Sequence, residues 1–131
     1  MNLLLDTHIW IWNDLQPEKL TSEVAQQLAS TANELWLSPV SIWELILLVE
    51  KKRLALRQDF HVWIKESAQD LDLKEAAFSW EVAQELRFTM LGYADPADRF
   101  IAATAKAYDM TLVTADERLV KVPGLKVLAN L

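Results

Sequence analysis

Five acidic residues lie at positions where a folding argument favours apolar side chains. They are Asp6, Glu44, Asp95, Asp98 and Asp116. Asp6 and Asp116 each follow a short apolar run, and Glu44 interrupts the apolar segment at residues 40–49. A carboxylate at the end of a buried strand or on an apolar helix face must be paired, protonated or bound to a cation. The pattern therefore predicts one acidic pocket that holds a divalent metal ion.

The chemistry of these ligands favours magnesium or manganese. The acids supply only oxygen ligands, which Mg²⁺ and Mn²⁺ prefer, whereas zinc is typically held by cysteine and histidine. The chain contains no cysteine, and its two histidines, His8 and His61, do not form a spaced ligand pair. A magnesium or manganese site of this kind characteristically activates water and clamps a phosphodiester for in-line attack.

Several of the acids also have a structural interpretation that the sequence alone leaves open. Asp6 and Asp116 can each cap the helix that follows, and Asp95, which precedes a proline, is a standard helix start. We interpret Asp95 first as such a cap. Thr7 is either a second cap or a hydroxyl that orients Asp6, and Thr114 is a candidate to support Asp116 through its hydroxyl.

Glu44 and Asp98 are harder to explain by capping. Glu44 lies in the middle of a predicted helix, and its structural alternative is an exposed stripe shared with Ser41; the apolar character of the helix favours a functional role. Asp98 falls in the first turn of its helix, where acids also favour helix formation. It nevertheless shares a face with Ile101 and with Ala102 and Ala105, and that apolar stripe should pack against the sheet. We therefore assign Asp98 to the pocket.

The composition indicates a single, well-cored domain of 131 residues. Hydrophobic residues make up 52 % of the chain, and two glycines and four prolines leave no linker or repeat. The absence of cysteine excludes a thiol nucleophile and thiolate metal ligands. The N-terminus lacks the basic region and apolar core of a signal peptide, and no apolar run approaches the ~18 residues of a membrane helix. We expect a cytosolic protein.

The net charge of −6 argues at first sight against a nucleic-acid partner. However, the five acids account for most of the negative excess, and bound cations would offset part of it. Basic residues cluster just after the helix that carries Glu44: Lys51, Lys52, Arg53 and Arg57. A solvated helix end is the favoured interpretation of this basic run, and a phosphate-binding rim is the alternative.

The tryptophans are expected to serve packing more than base recognition. Trp36 and Trp43 are predicted to lie in the core. Trp10 and Trp12 follow Asp6 so closely that one of them can line the cleft or an interface. Stacking on unpaired RNA bases is the less favoured alternative for these side chains.

Strand-like and helical segments alternate along the chain. Strands are predicted at residues 2–5, 35–38, 110–113 and 126–128, with a short strand or extended connection at residues 71–73. Helices are predicted from about residue 8 and at residues 17–32, 39–53, 60–68, 76–88 and 95–108, the last preceded by a turn at residues 92–94. This alternation indicates an α/β domain with a central, mostly parallel sheet flanked by helices. Ligands of such sheets bind outside the carboxyl ends of the strands, where Asp6 and Asp116 are placed.

Four segments occur in order along the chain: LLLDTHIWIW, SPVSIWEL, DPADRFIAATA and TLVTADERL. Together they resemble the acid-bearing segments of the PIN-domain ribonucleases and, within that family, of the VapC-type toxins of type II toxin–antitoxin systems. The resemblance covers essentially the whole chain. It implies a PIN-like fold and a single PIN domain over residues 1–131.

The resemblance also implies a site and an activity. The family's acidic quartet falls on Asp6, Glu44, Asp98 and Asp116. The third acid is Asp98 rather than Asp95 because the family has an apolar residue three positions later, here Ile101. The implied function is metal-dependent RNA hydrolysis with Mg²⁺ or Mn²⁺ held by the quartet, which stops translation. The implied partners are a cognate VapB-like antitoxin and a second copy of the chain.

Two other functions fit parts of the pattern. A phosphatase or phosphotransferase with Asp6 as nucleophile also places acids at strand ends, but it usually carries a lysine at the end of a later strand. The corresponding strand end here reads Thr114-Ala115-Asp116 and has no lysine. A non-catalytic RNA- or protein-binding module would keep its function when Asp6 or Asp98 is neutralised, so a cleavage assay separates it from the nuclease.

Overall fold

The computed structural model describes residues 1–89 and 95–131, and the turn predicted at residues 92–94 lies outside the described residues. Within the described part, five strands form one sheet in which all neighbouring strands are parallel. In chain order they are β1 (Asn2–Leu5), β2 (Glu34–Leu37), β3 (Lys74–Glu75), β4 (Thr111–Thr114) and β5 (Val127–Ala129). Their order across the sheet is β3-β2-β1-β4-β5. The predicted α/β fold with a mostly parallel central sheet is confirmed.

Helices connect the strands and cover both faces of the sheet. They are α1 (Thr7–Leu15), α2 (Ser22–Ala29), α3 (Pro39–Glu50), α4 (Phe60–Asp70), α5 (Trp80–Glu85), α6 (Pro96–Ala107) and α7 (Glu117–Val120). Short 3₁₀ turns occupy Pro17–Lys19 and Leu86–Phe88. None of the helices in the described ranges has the length and apolar character needed to cross a membrane.

The predicted continuous helix over residues 17–32 is wrong. The 3₁₀ turn ends at Lys19, and α2 begins only at Ser22. Thr21 separates the two because its extended backbone and its side chain, which accepts a hydrogen bond from the Val24 amide at 3.2 Å, form a helix cap. A capping residue has non-helical backbone angles, so apolar spacing alone did not reveal this break.

The helix predicted over residues 76–88 is also wrong over its first part. α5 begins only at Trp80, because the Ser79 side chain caps it by accepting from the Val82 amide. The short strand lies at Lys74–Glu75 instead of residues 71–73, since α4 runs on to Asp70. At the other long helix, α3 ends at Glu50 and not at residue 53.

The central strand β1 is buried on both faces. Leu3 and Leu5 pack into a core formed with α1, α2, α3 and α4, whereas Leu4 packs into the opposite core with Ile101 and Ala102 of α6. All three leucines are fully buried. Burial of one such side chain is worth about 1.5–3 kcal/mol, so this strand anchors the edge from which the acids project.

The carboxyl ends of β1 and β4 lie side by side at that edge. Leu5 pairs with Val113, and the Asp6 amide donates to the Val113 carbonyl oxygen at 2.9 Å. The sheet ladder therefore extends to Asp6 itself. Thr114 ends β4 beside it, and α3 starts at the same edge directly after β2.

Candidate metal centre

All five acids line one cavity at the carboxyl edge of the sheet. The cavity has a volume of about 320 Å³ and is also lined by His8, Trp12, Ala115 and Arg118. The acids reach it from four separate places: the end of β1, the middle of α3, the start of α6 and the segment after β4. Asp6, Glu44, Asp98 and Asp116 are thus brought together as the sequence predicts, and their role as metal ligands stays a prediction.

Asp6 is a helix cap and a cavity acid at the same time. Its Oδ1 accepts from the Thr7 amide at 2.9 Å, and its Oδ2 accepts from the Thr114 hydroxyl at 2.6 Å. The side chain is buried, and burial raises the pKa of Asp6 even though both hydrogen bonds favour the charged form. The two interpretations of Asp6 left open by the sequence are therefore compatible.

Glu44 is held by a buried hydroxyl pair. The Thr7 hydroxyl donates to Glu44 Oε1 and lies 2.8 Å from the hydroxyl of Ser41. Ser41 is fully buried, so the exposed stripe considered for Ser41 and Glu44 is wrong. The alternative in which the Thr7 hydroxyl orients Asp6 is also wrong. That hydroxyl donates to Glu44, and Asp6 accepts from the Thr7 amide instead. Burial raises the pKa of Glu44, and the charges of Asp6 and Asp95 raise it further.

Asp98 stands at the head of a buried stripe. The Asp98 residue is 8 % exposed, and Ile101, Ala102 and Ala105 beneath it are fully buried, which confirms the predicted packing of this face. Burial raises the pKa of Asp98 from 3.8 to about 7, and the nearby charges of the other four acids act in the same direction. A carboxylate in this setting is stabilised by a bound cation or a proton.

Asp116 has a different environment. It caps α7 by accepting from the Arg118 amide at 2.9 Å, and the Arg118 guanidinium bonds both carboxylate oxygens, at 3.3 and 3.2 Å. Burial alone would raise the pKa of Asp116, but the hydrogen bonds and charge of Arg118 outweigh it and lower the pKa. The Thr114 hydroxyl accepts a hydrogen bond from the Asp116 amide at 3.0 Å. It therefore supports the Asp116 backbone, while the hydroxyl itself donates a hydrogen bond to Asp6.

Asp95 does more than cap a helix. Its Oδ1 accepts from the Ala97 amide at 3.1 Å, which confirms the predicted cap of α6. It also lines the acidic cavity, a position that the capping interpretation missed. The available signal was its spacing from Asp98, since residues three apart lie on the same side of a helical turn.

The aromatic residues near the cavity divide into packing and lining groups. Trp10 is buried and donates to the Ser67 hydroxyl at 2.7 Å, whereas Trp12 lines the cavity and packs on the exposed His8, with ring centroids 5.7 Å apart. The prediction that Trp43 lies in the core is wrong, because its residue surface is 46 % exposed.

The donor set fits a hard divalent cation. Within residues 1–89 and 95–131, no three carboxylate or histidine side chains are grouped closely enough to enclose an ion by themselves. Mg²⁺ usually keeps several of its waters and takes few protein carboxylates, so a wide cavity walled by acids matches its coordination habits. Burial and the charges of the neighbouring acids raise the pKa of Asp98, and a bound divalent cation would act in the opposite direction.

The fold and the cavity define an α/β protein with a cluster of acids at the carboxyl edge of a parallel sheet. Comparisons with known proteins identify its family. Residues 3–125 match the PIN domain, and the chain belongs to the PIN-domain family. Among individual proteins, it is 33 % identical over 120 residues to Ribonuclease VapC22 of Mycobacterium tuberculosis, an alignment that covers 89 % of this chain and 88 % of the relative. The predicted family is therefore confirmed.

Solved structures with similar folds include VapBC and FitAcB structures. The chain superimposes on DNA-bound VapBC from Salmonella typhimurium with a TM-score of 0.75 at 17 % identity, covering 100 % of this chain and 99 % of the other. It superimposes on FitAcB from Neisseria gonorrhoeae with a TM-score of 0.64 at 26 % identity, covering 98 % and 97 % of the two chains. The first of these likenesses supports the PIN-like fold alone.

Proposed function

We propose that this protein is a metal-dependent endoribonuclease and acts as a VapC-like toxin. One observation carries the proposal: acids from four separate segments of a PIN fold line one cavity at the carboxyl edge of the sheet. Similarity to Ribonuclease VapC22 over most of the chain supports RNA as the substrate. Residues 1–131 act as a single PIN domain in this proposal.

The residues divide into ligands and groups that position them. Asp6, Glu44 and Asp98 would hold one or two Mg²⁺ or Mn²⁺ ions, and Asp116 would assist directly or through bound water. When bound, such a cation activates water and stabilises the extra negative charge at phosphorus. Thr114 holds Asp6, and Thr7 holds Glu44, so the carboxylates face the cavity in fixed directions. The oxygen of water would bond to phosphorus as the ester bond to the leaving oxygen breaks, and the proton lost by the water would be balanced by the proton that the leaving oxygen takes up from solvent.

The cellular role follows from the same family. RNA cleavage would stop translation in the cytoplasm, and a VapB-like antitoxin would neutralise the enzyme by covering the cavity. Similarity to Ribonuclease VapC22 over most of the chain, together with the family resemblance, supports an antitoxin partner of this kind. We also expect a homodimer, as in related toxins.

Cleavage of total cellular RNA tests the proposal. Purified protein, freed of antitoxin, is incubated with Mg²⁺ or Mn²⁺, with EDTA, and as the Asp6→Asn variant. Asp70→Asn is the matched control, because Asp70 is an exposed acid at the end of α4, away from the cavity. We expect discrete fragments from the wild type and from Asp70→Asn, and none with EDTA or Asp6→Asn.

Equal fragment patterns from the wild type and Asp6→Asn would contradict the proposal. So would the absence of cleavage by folded wild-type protein with either metal. Retained RNA binding in that second case would favour the non-catalytic binding module.

A further inference from the structure

A second cavity adjoins the acidic one and has a different wall. It has a volume of about 250 Å³ and shares His8, Glu44 and Asp95 with the acidic cavity. The rest of its wall comes from the last turns of α3 and the turn that follows it: Leu47, Leu48, Lys51 and Arg53. The two cavities therefore adjoin at three shared residues, and the second cavity adds two basic residues to its wall.

The backbone at the end of α3 explains which basic residues reach this cavity. Lys52 has a left-handed φ of 57°, and the Arg53 amide donates back to the Leu48 carbonyl oxygen at 2.9 Å. This is the turn that commonly ends helices and usually has glycine at the left-handed position. Lys51 and Arg53 line the cavity, and Lys52 between them does not.

The two basic side chains have no acidic partner within the described part of the chain. Other basic residues do: Arg118 is paired with Asp116, and Arg57 lies 3.9 Å from Asp14. Lys51 and Arg53 are both exposed and take part in no such ion pair among residues 1–89 and 95–131. Their charges are available to an anion from outside the chain.

We propose that Lys51 and Arg53 bind backbone phosphates of a single-stranded RNA on one side of the bond to be cleaved. This inference rests on the proposed ribonuclease function, because it takes the acidic cavity as the place of cleavage. Lys51 is the C-cap of α3 and follows Glu44 by seven residues, which places it two turns, or about 10 Å, further along the helix axis. At about 3.4 Å of rise per stacked nucleotide, the basic pair contacts phosphates up to about three nucleotides from the cleaved bond.

The wall between the two ends suits a nucleotide chain. Leu47 and Leu48 form an apolar surface between Glu44 and the basic pair, against which sugars and base faces can pack. The alternative occupant is an acidic protein segment. It would be repelled by Glu44 and Asp95 at the shared wall, and it has no sugar or base to pack on the leucines. The order of acids, leucines and basic residues across the two adjoining cavities therefore favours RNA as the occupant.

The basic pair also addresses the problem posed by the net charge of −6. A strand that approaches the acidic cavity is repelled by its carboxylates unless positive groups hold the neighbouring phosphates. For single strands, each neutralised phosphate adds about 0.7 to the dependence of log affinity on log salt concentration. Two phosphate contacts should therefore contribute about 1.4 to the slope of log affinity against log salt concentration.

RNA binding without cleavage tests the inference. The probe is a fluorescein-labelled, mixed-sequence single-stranded RNA of about 12 nucleotides, and the protein carries Asp98→Asn so that the probe stays intact. We expect Lys51→Gln/Arg53→Gln to weaken binding about tenfold at about 50 mM salt and to reduce the salt slope by about 1.4. The matched control is Lys52→Gln/Lys65→Gln, which removes the same charge from exposed residues outside both cavities. The control should change the affinity by less than about twofold.

Cleavage kinetics of the same pairs of substitutions, made without Asp98→Asn, separate this inference from the proposed function. Lys51→Gln/Arg53→Gln should raise KM and leave kcat nearly unchanged. Equal losses of RNA binding in the test and control variants, or no loss in either, would overturn the inference. The proposed nuclease function would still stand if the wild-type protein cleaved RNA. If only Lys51→Gln/Arg53→Gln lost RNA binding and the wild-type protein bound RNA without cleaving it, the pair would remain an RNA contact. That result would contradict the nuclease and the position of the pair beside a cleaved bond.

Discussion

The two sides of the acidic cavity handle negative charge differently. On one side, Asp6 and Asp98 are buried and their pKa values are raised. On the other side, Asp116 is bound by Arg118 and its pKa is lowered. Asp6 on the first side accepts from a hydroxyl and an amide, whereas Asp116 on the second side is ion-paired with Arg118.

This contrast indicates where a metal ion would gain most. The charged forms of Asp6 and Asp98 are destabilised by burial and mutual repulsion, so a bound cation relieves an existing electrostatic cost. Asp116 is already compensated, and a metal would compete with Arg118 for it. We infer that the buried side makes the primary metal contacts and that Asp116 has the lesser share.

The largest expected effect comes from neutralising one acid on each side. Asp98→Asn should reduce RNA cleavage by about 10³-fold or more, because charge stabilisation at phosphorus is worth several kcal/mol. Asp116→Asn should reduce it by only about tenfold, since its partner Arg118 remains at the cavity. Initial rates with saturating Mn²⁺ on one RNA measure both.

Folding controls accompany this comparison. In EDTA, Asp98→Asn should melt at the same or a higher temperature than the wild type, because the substitution removes repulsion among the buried acids. Equal losses of activity for the two variants would remove the distinction between the two sides.

A smaller effect is expected from the hydroxyl that links the two sides. Thr114 donates to Asp6 and accepts from the Asp116 amide, so Thr114→Val removes both contacts at nearly constant volume. Loss of a group that orients a metal ligand typically costs about 10–100-fold in activity or metal affinity. Cleavage rates at varied Mn²⁺ concentration measure both quantities.

Thr104→Val is the control for this change. Thr104 is equally buried but donates to the Phe100 carbonyl oxygen within α6. Its substitution should leave the metal dependence unchanged. A similar shift in metal dependence for both variants would assign the Thr114 effect to general destabilisation.

The sequence was sufficient to predict the layout of the fold. The apolar run at residues 3–5 lies on both faces of the sheet because its leucines alternate between two cores. The sequence was insufficient at the helix starts near Thr21 and Ser79. There, a single hydrogen bond from a backbone amide to a side-chain oxygen decides where the helix begins. Such local bonds leave no trace in apolar periodicity.

The site was predictable as a set of acids but not as a network. The positions of Asp6 and Glu44 follow from the buried strand and the apolar helix that carry them. The assignment of Thr7 to Glu44 depends on the close approach of α1 to α3, which joins residues 37 positions apart. Contacts over such separations arise from tertiary packing, and no local pattern in the chain encodes them.

The smallest expected effect, and the most direct measure of the contrast, is the pH dependence of the metal-free fold. Asp98 has a folded-state pKa of about 7 against an ordinary value of 3.8. The folded protein therefore binds more protons than the unfolded chain between these values, and its stability falls as pH rises through this interval. Asp6 and Glu44, whose pKa values are also raised, act in the same direction. The lowered pKa of Asp116 has the opposite effect, but only in more acidic solution, below its ordinary value.

In EDTA, the melting temperature of the wild type should thus fall by roughly 3 °C or more between about pH 5 and about pH 8. Asp98→Asn should flatten this decrease, and Asp116→Asn should leave it unchanged. With saturating Mn²⁺ the trend should reverse for the wild type, because protons then compete with the cation for the buried carboxylates. A wild-type melting temperature that rose with pH in EDTA would mean that the buried acids are already compensated, and the distinction between the two sides of the cavity would not hold.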